Sequence, residues 1–101
     1  MYDDSLYFAP SNPVELARTC SKASKYQRSL ASQMLQVIET GGENLNELAL
    51  AEEVAEQFVQ FCICKLTELS TSDLPAAVQA ATQFGDERTL LALIDILSRN
   101  V

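Results

Sequence analysis

The chain has 101 residues, 48% of them apolar and 21% charged, and carries a formal net charge of −7. That composition supports one folded domain and excludes a disordered chain, while three glycines and three prolines are too few for a sandwich or barrel of many tight turns. The acidic balance opposes general affinity for nucleic acid or anionic lipid.

The first ten residues, MYDDSLYFAP, hold Tyr2, Tyr7 and Phe8, three of the seven aromatic side chains. They are acidic and lack a continuous apolar core, so no secretory leader is expected. Residues 1–11 are expected to form an extended aromatic arm ahead of a single helical domain over 12–101. Two placements stay open for Tyr7 and Phe8: packed on their own bundle, or reaching a neighbouring molecule.

Asn12-Pro13-Val14-Glu15 combines a capping side chain, a first-turn proline and a third-position glutamate, which predicts a helix over about 13–40 ended by Gly41-Gly42. Along it Leu16, Cys20, Ala23, Gln27, Leu30, Met34 and Val37 alternate by fours and threes, the spacing of a seam for another helix. Arg18, Lys22, Lys25 and Arg28 fall on the opposite side. This basic face reads either as a docking stripe for an acidic protein or a phosphate backbone, or as a solvated surface.

Asn44-Leu45-Asn46-Glu47 repeats the cap-and-glutamate arrangement and predicts a second helix over about 45–69. The short GGEN connection makes the two an antiparallel hairpin. Small residues early in helix two (Ala49, Ala51, Ala55) then meet bulky ones late in helix one, and Phe58, Phe61 and Ile63 meet Cys20 and Ala23. Small against large at both ends fills the space between the helices. Glu47, Glu52, Glu53 and Glu56 give helix two a negative face expected to meet solvent.

The run FVQFCICKL, residues 58–66, is apolar nearly all round, so this half of helix two is expected to be covered on several sides. Cys62 and Cys64 stand about 200° apart on a helix, too far apart in direction to share one metal. They read as small buried hydrophobes, and three cysteines without secretory context suggest free thiols. No metal site and no cofactor is expected.

Ser72 or Asp73 with Pro75 predicts a third helix over about 74–84 that stops at Gly85. Asp86 caps a fourth over about 87–99, in which only Arg88, Asp95 and Arg99 with Ala92 form a polar stripe. The fold class is therefore all-α: a long antiparallel hairpin plus a shorter C-terminal one, bundle-like. Two short helices cannot cover a hairpin about 40 Å long at 1.5 Å per residue. The surplus apolar surface is assigned to Leu90, Leu93, Ile94 and Leu97 with Phe58 and Phe61, as an interface for a second copy, a dimer being favoured, or for another protein.

Enzymatic function is not expected, since the chain lacks histidine, a phosphate-cradling loop and any nucleophile motif. The reading is a cytoplasmic protein-binding module: an adaptor, a secretion or assembly chaperone, or an anti-activator. No apolar run is long enough to span a membrane. The alternative is a DNA-binding regulator, because QAATQFGDERTLLALI resembles a helix-turn-helix in outline. Its would-be reading helix offers few side chains suited to base edges.

Overall fold

A computed structural model describes residues 12–99. Four helices follow one another, α1 (Pro13–Thr40), α2 (Leu45–Leu66), α3 (Leu74–Phe84) and α4 (Glu87–Arg99), and there is no strand among the described residues. The expected all-α, four-helix bundle-like architecture is the one observed. Tyr7 and Phe8, in the expected aromatic arm, lie outside the described residues.

The ends of α1 follow from its punctuation. Asn12 Oδ1 accepts the amides of Val14 at 2.9 Å and Glu15 at 3.1 Å, which satisfies two of the donors a helix start leaves open. At the other end Gly41 turns left-handed at φ 73°, and its amide and that of Gly42 both return to the Val37 carbonyl. Gly85 ends α3 in the same manner at φ 66°. Both positions need a residue without Cβ.

Three local expectations are corrected. Asn44 does not cap α2 through its side chain; its ψ of 21° departs from the extended backbone that aims a capping oxygen at the first turn. Asp73 does not cap α3 either, and its carboxylate instead accepts the Ser70 hydroxyl at 3.0 Å. Helix α2 stops at Leu66 rather than near 69. The amides of Thr67, Glu68 and Leu69 bond three residues back, and the Thr67 hydroxyl donates to the Cys64 carbonyl at 2.6 Å. A threonine hydroxyl that competes for a carbonyl tightens and ends the turn.

The most extensive packing is that of α1 on α2. The expected seam is present: Leu16, Cys20 and Leu30 are buried, with Ala23, Gln27, Met34 and Val37 partly so. From α2 it receives Ala55, Val59, Cys62 and Leu66. A second row on α1, Ala17, Ser21 and Ser24, is also buried, and α3 brings Ala77, Ala80 and Ala81. Small side chains on both α1 and α3 allow a close approach of the two backbones, so α3 packs chiefly on α1.

Chain direction can be read from cross-links. Arg18 lies over the Phe84 ring, Thr89 sits against Cys20, and Asp86 is joined to Arg28. Helix α3 therefore rises alongside α1, and α4 descends again across the hairpin. The connection between them sits level with Arg28 on α1 and, through Arg88, with Glu56 on α2. Beyond that level neither short helix reaches. Leu30 is the last buried residue of α1 and Ala55 the first of α2, so the hairpin projects past its own core. Among the described residues, α2 is covered on one side by α1, is touched slightly by α4 and receives little from α3.

Candidate functional site

Two features invite a functional reading: a polar cluster where α4 begins, and the apolar surface that the core leaves outside. The cluster is built around Asp86, which is fully buried. As the residue before α4, its Oδ2 accepts the Thr89 amide at 2.9 Å and the Thr89 hydroxyl at 2.7 Å. Its Oδ1 accepts Arg28 Nη2 at 2.8 Å. Cap and ion pair are thus the same side chain, which locks the start of α4 onto the middle of α1.

The Thr89 hydroxyl also lies 3.4 Å from Cys20 Sγ. A hydroxyl has one proton, and the shorter, charge-assisted bond to the carboxylate takes it. The Cys20 thiol is then the donor in the longer contact. Burial pushes the Cys20 thiol pKa up, and the nearby Asp86 carboxylate adds to the rise. Burial likewise pushes Cys62 up to about 12, with Cys20 contributing. Both are protonated and sequestered, the opposite of what a nucleophile or metal ligand requires. Cys64 is exposed, on the other side of α2 from Cys62. This matches the expected divergence of the two but corrects the expectation that both are buried. Among the described residues no group of three or more His, Cys, Asp or Glu side chains is placed to hold a metal ion.

A second fastener flanks the first. Arg88 meets Glu56 through two parallel bonds of 2.7 and 2.6 Å. The Arg88 hydrogen bond, seconded by Gln60, lowers the Glu56 carboxyl from an ordinary 4.5 to about 2. A depressed carboxyl contributes stability that is complete above its unfolded value and disappears as pH falls through its folded one. For this partly solvent-screened pair the contribution is about 1 kcal/mol. Wild-type chain is therefore expected to be more stable than Glu56→Gln at pH 6. The gap should narrow between pH 4.5 and 2 and vanish below. Urea midpoints of the two proteins across that range measure it; a constant gap contradicts the assignment.

The basic face of α1 turns out to be mostly engaged by the chain itself. Arg18 stacks on Phe84 at 5.4 Å and lies 3.8 Å from Glu15. Lys25 donates to the Phe84 carbonyl, at the C-terminal end of α3, where a cation suits the helix dipole. Arg28 holds Asp86, and Lys22 is exposed. The face expected to oppose all packing instead borders the α3–α4 connection. The negative face of α2 is half drawn in: Glu52 is partly buried and accepts Gln27 Nε2 at 2.8 Å and Glu56 holds Arg88, while Glu47 and Glu53 are exposed as expected.

The apolar residues singled out in α4 divide. Leu93 is buried in the core, Leu90 and Leu97 are half-buried against it, and Ile94 is half-exposed. On α2, Phe58 packs partly on the core and Phe61 stacks beside it, ring centres 6.3 Å apart. The largest outward apolar side chains lie elsewhere: Leu35 and Ile38 on α1 and Leu50 and Val54 on α2 are 60–66% exposed. All four are on the projecting part of the hairpin. The row Ala17, Ser21, Ser24, Arg28 that faces the short helices continues to Leu35 after its cover has ended.

No protein-family model, no curated protein and no solved structure matches this chain. Among the described residues no helix is long and apolar enough to cross a membrane.

Proposed function

We propose that this chain is a protein-interaction module, an adaptor, assembly chaperone or anti-activator, that acts by presenting the projecting hairpin tip to another protein. The observation that carries the reading is the exposure of Leu35, Ile38, Leu50 and Val54 on a stretch with no buried residue of its own. Leaving such side chains in water costs about 25 cal/mol per Å². A partner groove that accepts the tip removes the cost, and helix-in-groove docking uses side chains three or four residues apart, as Leu35 and Ile38 or Leu50 and Val54 are.

The fastened base suits the role. Asp86 and Arg88 anchor α4 across both arms of the hairpin, so the base is rigid while the tip is free to be covered. DNA recognition through α3 and α4 has less support, because Asp86 is buried, Arg88 is committed to Glu56 and Leu93 faces the core. No catalytic role is proposed: all the polar groups of the buried cluster serve one another.

The test compares proteins that co-purify with wild-type chain and with a Leu35→Asp/Ile38→Asp variant from the native lysate. Both positions are exposed, so the variant keeps its helical circular dichroism. It is expected to lose the specific partner. An identical set of co-purifying proteins refutes the tip as the docking element.

A further inference from the structure

The part of the hairpin that projects past the core is uncompensated in charge as well as in apolar surface. Between Arg28 and Lys65 the chain has six glutamates and no lysine or arginine, so this stretch carries −6 of the net −7. Glu56 is paired with Arg88, and Glu52 accepts Gln27. The other four, Glu39, Glu43, Glu47 and Glu53, are exposed and make no ion pair among the described residues. The cations nearest along the chain are already engaged, Arg28 with Asp86 and Lys65 with Glu68.

These carboxylates border the exposed apolar side chains. Glu39 follows Leu35 by four residues, while Glu47 precedes Leu50 by three and Glu53 follows it by three; residues so spaced are neighbours on a helix surface. Glu43 lies in the connection between the two helices. An apolar centre with a charged rim is the ordinary anatomy of an interface, and the sign of the rim selects the partner. Nucleic acid and anionic lipid are repelled by this one. A second copy meeting tip to tip sets glutamate against glutamate. A cationic surface is attracted across a distance of about 8 Å at physiological ionic strength, and it supplies the charges that the tip lacks.

We propose that the occupant of the hairpin tip is a cationic amphipathic helix of another protein, one wall of the groove that accepts the tip. Its apolar stripe covers the exposed leucine, isoleucine and valine side chains, and its flanking lysine or arginine residues meet Glu39, Glu43, Glu47 and Glu53. The inference rests on the reading above that the tip is the docking element, and adds the chemistry of what docks there. Apolar contact supplies the affinity, while the charges speed encounter and fix orientation, so binding weakens as salt rises.

The probe is a synthetic amphipathic helix of leucine and lysine, about five turns long, beside a counterpart with glutamate in place of lysine. Each is titrated calorimetrically into the full chain. Wild type is expected to bind the lysine peptide saturably, with a dissociation constant on the order of 10 μM, and the glutamate peptide not at all. Glu39→Gln/Glu43→Gln/Glu47→Gln/Glu53→Gln weakens binding about tenfold. Leu35→Asp/Leu50→Asp, two exposed positions, weakens it as well, although the variant is more negative than wild type, and circular dichroism confirms that both variants keep their helices. The proposal is overturned if the lysine peptide does not saturate, if the glutamate peptide binds equally, or if the four-glutamine variant matches wild type. Undiminished binding by Leu35→Asp/Leu50→Asp also overturns it, since attraction of charge alone is then at work. The lysate comparison with Leu35→Asp/Ile38→Asp tests the broader reading separately. A partner lost there but retained by the four-glutamine variant leaves the tip as the docking element and overturns only its cationic occupant.

Discussion

Replacing Asp86 by alanine is expected to lower the free energy of unfolding by about 3 kcal/mol. The buried carboxylate makes three bonds, to the Thr89 amide, the Thr89 hydroxyl and Arg28. Loss of a helix cap costs about 1 kcal/mol, and an amide left buried without an acceptor costs about 1–3. Arg28 mitigates the loss, because its side chain is half-exposed and can turn to water. Asparagine at the same position keeps an oxygen for the Thr89 amide and should recover part of the deficit. Urea denaturation of wild type, Asp86→Ala and Asp86→Asn gives the order. An alanine variant within about 0.5 kcal/mol of wild type, the range of an ordinary surface change, excludes the fastener role.

Leu93→Asp is expected to leave the chain unfolded, while Ile94→Asp, one residue along, is expected to leave it folded. Leu93 is wholly enclosed by the core, and a carboxylate there has no cation within the cluster to meet it. Burying an unpaired charge costs several kcal/mol, comparable with the whole stability of a domain this size. Ile94 is 50% exposed, so an aspartate there reaches water and costs about 1 kcal/mol at most. Far-UV circular dichroism with thermal melts separates the two outcomes. A cooperative melt for Leu93→Asp, or none for Ile94→Asp, reverses the assignment of inner and outer faces on α4.

The pair also shows where sequence reasoning succeeds and where it stops. Leu93 and Ile94 are adjacent in the chain and nearly equal in hydrophobicity. In a helix apolar over most of its circumference, periodicity does not say which side meets the core. The surplus of apolar surface over covering helices was legible from length alone, since two short helices cannot span a long hairpin. Its location was not. Its most exposed members, Leu35, Ile38, Leu50 and Val54, lie at the tip, because Asp86, Arg28 and Arg88 hold α4 at the base, while Leu91 and Ile94 stay outward on α4. That anchoring depends on contacts between residues 32 and 58 positions apart. No local pattern announces them.

The same contrast holds for charge. Arg18, Lys25 and Arg28 share a helical face by spacing, but a spacing does not reveal whether solvent or a neighbour lies opposite. The α3–α4 connection lies there, and it engages all three.

Local signals alone determined the four helices, the left-handed glycines that end two of them, the capping by Asn12 and Asp86, and the α1–α2 seam. Each depends on residues within a turn or two of one another, where backbone geometry leaves few choices. Tertiary structure decided which apolar residues are core and which are left outside, which charges are fasteners, and that the hairpin projects beyond its support. Those outcomes turn on where two short helices come to rest against two long ones, held there by the small-residue contact of α3 with α1 and by the bonds of Asp86 and Arg88.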